Sequence, residues 1–110
     1  MKFRIEAGEL KHPITIERVK IDKINNIPKN TWTKLYNTRA KIVNVRGSEI
    51  KIGEGSAAKV EKSFYIRFPR GIDITRLDRV IFKNKIYNIE YLNNIDEEDI
   101  FLEIRGVLHE

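Results

Sequence analysis

Residues 62–72, Lys62-Ser63-Phe64-Tyr65-Ile66-Arg67-Phe68-Pro69-Arg70-Gly71-Ile72, constrain the fold of this chain more than any other stretch. Phe64, Ile66 and Phe68 fall in one phase and Ser63, Tyr65 and Arg67 in the other, the two-residue period of a strand with one face in a core. Pro69 lacks the amide hydrogen that a sheet ladder needs, and Gly71 accepts the positive φ of a reversal, so Pro69-Arg70-Gly71 ends the strand. The rest of the chain reads as sheet built around it.

On the N-terminal side, residues 1–13 show no period and close on His12-Pro13, which reads as an extended arm. From Pro13 onward Ile14 and Ile16 share one phase while Val19 and Ile21 share the other. The slip at Glu17-Arg18 predicts a bulge or a change of partner. Residues 22–30, with Asn25-Asn26 and Pro28, read as a hairpin tip. Residues 31–45 are β-prone, with Trp32 and Leu35 as anchors, Ala40 and Ile42 on one face, and an interruption at Asn37 that predicts two strand pieces joined by a kink. Residues 46–61 carry Gly47, Gly53 and Gly55 and offer little to a core. They read as a long loop, with Ser56 able to cap a short helix.

On the C-terminal side, residues 73–78 read as a connection, and Arg79-Val80-Ile81-Phe82 reverses at Asn84-Lys85 into a strand over 86–92. Asp96-Glu97-Glu98-Asp99 forms a polar tip before a last strand over 100–107. The expected fold is all-β: one domain over 1–110, a small antiparallel barrel of about six strands, a long glycine-containing loop and at most one short helix.

Composition narrows the function. Cysteine is absent, which excludes disulfides, thiol nucleophiles and thiolate metal sites. No apolar run approaches the roughly 20 residues of a membrane span, and the first residues lack the apolar segment of a secretory signal, so the expectation is an intracellular protein without a membrane partner. Residues 1–85 hold 20 Lys and Arg against 9 Asp and Glu, whereas residues 86–110 hold 1 against 7. Such asymmetry suits a basic surface beside a polyanion, or a basic face on one copy meeting an acidic face on the next.

Little in the chain has the form of a catalyst. His12 and His109 lie at opposite ends of the sequence, without metal-ligand spacing or an evident acid–base partner. The acidic run lacks the interleaving and glycine of a calcium loop, and no glycine loop is followed by Lys-Ser or Lys-Thr. No enzyme, metal or cofactor is expected. A small basic barrel that binds single-stranded nucleic acid is a competing reading; it needs aromatics on the solvent face, where only Tyr65 falls.

The order of several short motifs resembles the head-tail connector family of tailed bacteriophages, whose members include head-completion, or stopper, proteins. The resemblance runs through Gly8-Glu9-Leu10-Lys11-His12-Pro13-Ile14-Thr15-Ile16, Trp32, Arg39-Ala40-Lys41-Ile42, Arg46-Gly47-Ser48-Glu49, the run from Tyr65 to Ile72, and Tyr87-Asn88-Ile89-Glu90. Departures fall at Pro13 and at Phe68-Pro69. The resemblance implies a monomer when isolated that joins a ring of about twelve copies in the virion, between a connector adaptor ring and a tail-completion protein. It also implies that the loop after the second strand projects into the channel around packaged double-stranded DNA. By position that loop holds Arg46, Gly47, Ser48, Glu49, Lys51, Gly53, Gly55 and Lys59. The glycines would let it open and close, and Arg46, Lys51 and Lys59 would hold the DNA backbone. The arm, through Gly8, Glu9, Leu10, Lys11 and His12, would dock on the adaptor, with Leu10 as its apolar anchor.

Overall fold

The computed structural model describes residues 4–46, 49–52, 55–58 and 60–109. Eight strands follow one another: β1 His12–Ile24, β2 Ile27–Arg46, β3 Glu49–Ile52, β4 Gly55–Ala58, β5 Glu61–Arg67, β6 Arg79–Phe82, β7 Lys85–Asn94 and β8 Phe101–Leu108. Six of them close into an antiparallel barrel in the order β1-β2-β5-β8-β7-β6, with β6 returning to β1, and β3 and β4 form a separate two-stranded sheet. The only helical pieces among the described residues are 3-10 turns at Ala7–Glu9 and Ile95–Glu97.

The alternation of β5 sets the core. Phe64 and Ile66 are fully buried, together with Ile16 of β1, Val80 of β6 and Ile104 of β8. The Phe64 ring meets Tyr87 and Phe82 edge-on, at centroid distances of 5.3 and 6.1 Å, the geometry that aromatic quadrupoles favour. Close packing also dictates a glycine. A Cβ at Gly106 would lie 3.0 Å from Tyr87 Cβ and 3.4 Å from Phe64 Cε2, so any side chain here would have to push Tyr87 aside by a few tenths of an ångström.

The outer face of β5 is less open than its period predicts. Ser63 and Glu103 are both buried, because the register sets Tyr65 opposite Glu103 and Ser63 opposite Arg105. Ser63 Oγ donates to Glu103 Oε2 at 3.0 Å, and the Tyr65 hydroxyl and Arg105 Nη2 donate to the same oxygen at 3.3 Å. Asn93 Nδ2 supplies the other oxygen at 3.3 Å. Burial pushes the Tyr65 hydroxyl above its ordinary value, and the negative charge of Glu103 adds to the effect. A charge withdrawn from water is thus held by several donors, as a buried carboxylate requires.

Several expectations are refined. The β1 phase slip is real: the β1–β2 register shifts between Ile16 and Glu17, and Leu35 is the unpaired residue on β2. No break follows at Asn37, which stays in register with Thr15, and its Oδ1 accepts from Thr15 Oγ1; β2 is one strand of 20 residues. The tip is shorter than expected, since only Asn25 and Asn26 turn, both with left-handed φ of 53° and 64°. The later reversal falls at Lys83-Asn84, likewise left-handed, one residue earlier than expected. No helix starts at Ser56. It lies in β4 opposite Lys51, because Glu49-Ile50-Lys51-Ile52 alternates as a strand and finds a partner in Gly55-Ser56-Ala57-Ala58.

Candidate functional site

Strand directions sort the connections to two ends of the barrel. At one end β2 finishes and β5 begins, with Arg46 opposite Glu61, and the β3–β4 hairpin occupies the chain between them. The hairpin is a ladder of its own, Glu49 with Ala58 through Ile52 with Gly55, and shares no strand pairing with the barrel. Of the residues expected to line a channel, Arg46, Glu49, Lys51 and Gly55 are on this element or its root. Gly47, Ser48, Gly53 and Lys59 lie outside the described residues.

The arm folds back on its own barrel. Ile5 is buried, and the following 3-10 turn is closed by a capping box in which the Glu6 amide donates to Glu9 Oε1 at 3.0 Å. Glu9 also pairs with Lys41 Nζ at 2.7 Å, Arg39 Nη1 reaches the Lys11 carbonyl at 3.5 Å, and the His12 ring meets Phe82 edge-on at 5.9 Å. Gly8 and Lys11 face solvent. Leu10 is half-buried beside a groove of about 280 Å³ that it lines with Ala7, Thr38, Arg39 and Arg67. The five expected docking residues are therefore contiguous, but their backbone is already ordered.

This arm responds to acid in a definite sense. The bond from Lys41, and after it the Glu6 amide, holds the Glu9 carboxyl below its ordinary value of 4.5. A carboxyl whose value falls on docking stabilises the docked state above its ordinary value, and the contribution is lost as pH falls through the lowered one. The protection of the Glu6, Glu9 and Leu10 amides, relative to the intrinsic exchange rate at each pH, is expected to fall below pH 4.5, and Lys41→Met to weaken that acid dependence. Protection that stays constant into acid in the parent protein would show that the ion pair does not hold the arm.

At the opposite end, β1 and β2 continue beyond the barrel as a two-stranded ribbon. Two arginines secure its root. Arg79 donates to Glu17 at 2.8 Å and stacks its guanidinium 4.0 Å over the Trp32 ring. Arg18 makes a bidentate pair with buried Asp78 at 2.9 and 3.1 Å, while also donating to the Asp73 carbonyl. Trp32 is thus the anchor the sequence suggested, though on the outer face and under a cation. The arginines were missed as a pair because their partners stand about sixty positions away in the chain.

Strand β5 offers no base-stacking platform. Phe64 is in the core, and the hydroxyl of Tyr65, the one aromatic of β5 in the outer phase, is bound to an acidic side chain. Among the described residues no group of three or more His, Asp or Glu side chains is arranged to hold a metal ion. His109 Nδ1 lies 3.3 Å from Asn88 Nδ2.

The described residues thus form a closed barrel with a separate two-stranded sheet in the chain between β2 and β5 and a two-stranded ribbon continuing from β1 and β2. Residues 5–107 match the phage head completion protein family, and the chain belongs to it. Membership makes it a structural component of a phage-type head, located in the virion. Among solved structures, the fold is similar to a chain in the virion of a native gene transfer agent particle, with a TM-score of 0.72, 18% identity, and coverage of 94% of this chain and 96% of that one. A second similar structure is the phage-like element PBSX protein xkdH from Bacillus subtilis, with a TM-score of 0.49, 16% identity, and coverage of 88% and 92%. No curated protein matches the chain.

Proposed function

We propose that this protein is the stopper of a packaged head: a ring of copies docks beneath the portal and adaptor, closes the DNA channel with its β3–β4 hairpins, and gives the tail its attachment surface. The observation that carries this reading is the separateness of the hairpin. Its ladder is closed on itself, so moving it breaks no strand pairing of the barrel. Arg46, Lys51 and Lys59 carry positive charge suited to the phosphate backbone of double-stranded DNA, and Gly47, Gly53 and Gly55 are residues with the backbone freedom a gate needs.

The adaptor-facing surface is the outer side of the arm, where Gly8 and Lys11 are exposed and Leu10 borders its groove. Tail-completion protein binds the ring from the other side. In solution the chain is a monomer, and the ring forms on its template.

Electron microscopy of DNA-filled heads carrying the adaptor, prepared with and without this protein, tests the reading. Heads lacking it are expected to lose DNA and remain tailless. Heads that keep their DNA but fail to join tails would make it a tail-docking piece and remove the gate; heads normal in both respects would remove the whole reading.

A further inference from the structure

Among the described residues the β1–β2 ribbon pairs with no third strand beyond Glu17. Glu17 is the last residue of β1 paired with β6. Its tip lies seven residues further on, about 23 Å of strand. Ile24 and Ile27 stand opposite each other there, exposed at 51% and 66%, and Ile21 on the other face is 68% exposed. Lys29 shares their face, across from Asp22, and Lys23 lies on the other face with Ile21. The arginine clamps at the root fix the ribbon before any partner arrives, which lowers the ordering cost of a contact made at the tip.

A complementary surface lies on the same chain. The β7–β8 connection presents Asp96-Glu97-Glu98-Asp99 to solvent, followed by Ile100 at 51% exposure. Next to it a groove of about 440 Å³ runs between the Pro69-Arg70-Gly71 turn and Asp99. Among the described residues none of these four acids forms an ion pair, and neither does Lys23 or Lys29. The ribbon tip is apolar and carries Lys20, Lys23 and Lys29 against the single acid Asp22; the β7–β8 connection is apolar and acidic.

We infer that these patches meet between adjacent copies: the ribbon tip of one subunit lies against the β7–β8 connection of the next, Ile24 and Ile27 on Ile100 and Lys29 on the acidic run, with Lys23 behind it adding to the positive charge of the tip. The occupant is a second copy of this chain because the chain itself carries the matching charge and apolar surface. Ribbon against ribbon would bring together two tips of net positive charge, which disfavours a two-fold pair. A contact between unlike patches is head-to-tail and propagates until it closes as a ring. The inference rests on the ring assembly proposed above, and names its interface.

The test is charge reversal with rescue on the full chain assembled on adaptor-bearing heads. Lys23→Glu with Lys29→Glu is expected to reduce the amount of protein recovered on heads by roughly tenfold, and adding Glu97→Lys with Glu98→Lys to restore it. A second readout uses introduced thiols, which the cysteine-free chain makes specific. Heads carrying Ile24→Cys/Ile100→Cys protein are expected to give a ladder of multimers with a short bis-maleimide, whereas either single variant gives none. Full recovery of the reversed protein, loss without rescue, or dimers formed by Ile24→Cys alone would each overturn the interface. Parent protein absent from the heads would instead overturn the stopper reading itself, so the two failures are distinguishable.

Discussion

Removal of residues 53–58 is expected to leave a folded barrel and heads that cannot hold their DNA. The deletion takes out β4, the second strand of a sheet that shares no pairing with the barrel, so every barrel ladder survives. Arg46 and Glu61 remain paired partners, and the eight residues left between β2 and β5 are ample for a hairpin connection, which needs about 2–5. Shortening the closed segment from fourteen residues reduces its closure entropy by about 0.5 kcal/mol. Thermal unfolding should therefore move by no more than roughly 2–4 °C. In the proposed stopper role the effect on particles is large by contrast, because a ring without hairpins would leave its bore open to the packaged DNA. Microscopy and nuclease sensitivity of the heads measure it. A deleted protein that seats on heads and still retains DNA would remove the hairpin as the gate; one that fails to seat would show that the hairpin also builds the ring.

Strand identity was legible wherever one chain segment carries its own pattern. The alternation through Phe64, Ile66 and Phe68 and the stop at Pro69 and Gly71 correspond to β5 and to a turn with a φ of 77° at Gly71. The slip after Ile16 marked the bulge because a phase change in one strand is visible in that strand alone. Its other half, the unpaired Leu35, is a property of the pairing, and the polar Asn37 drew the expected kink two positions away. Barrel closure depends on contacts such as Thr15 with Ile81, which no local period encodes. The same limit hid the buried Glu103: its donors come from three strands, and outer-phase residues are read as solvated until the register places them face to face. In the candidate gate, the glycines outweighed the four-residue alternation of Glu49-Ile50-Lys51-Ile52, so a hairpin read as a loop. The ribbon was concealed for a related reason, since Asp22, Asn30 and Pro28 are turn-forming residues that here continue a ladder around a two-residue Asn25-Asn26 turn.

Phe64→Ala is expected to produce the largest loss of stability of any single truncation in the core. Phe64 is the largest of the fully buried side chains, and its ring lies between Phe82 and Tyr87 with Gly106 below it on the adjacent strand. Truncation removes the transfer free energy of the ring and leaves a cavity that the neighbours cannot fill. β5 is hydrogen-bonded on both sides, to β2 and β8, so its backbone cannot move inward. The cost for such a site is about 4 kcal/mol, against a total of about 5–15 kcal/mol for a domain of this kind. For 110 residues that corresponds to a fall in Tm of roughly 17 °C, measurable by calorimetry or circular dichroism. Phe64→Leu keeps much of the volume but removes the edge-on packing against Tyr87 and Phe82, and should cost about 1–2 kcal/mol. The comparison separates packing from ring geometry: a fall of less than about 5 °C for the alanine variant would mean that the strands collapse around the cavity.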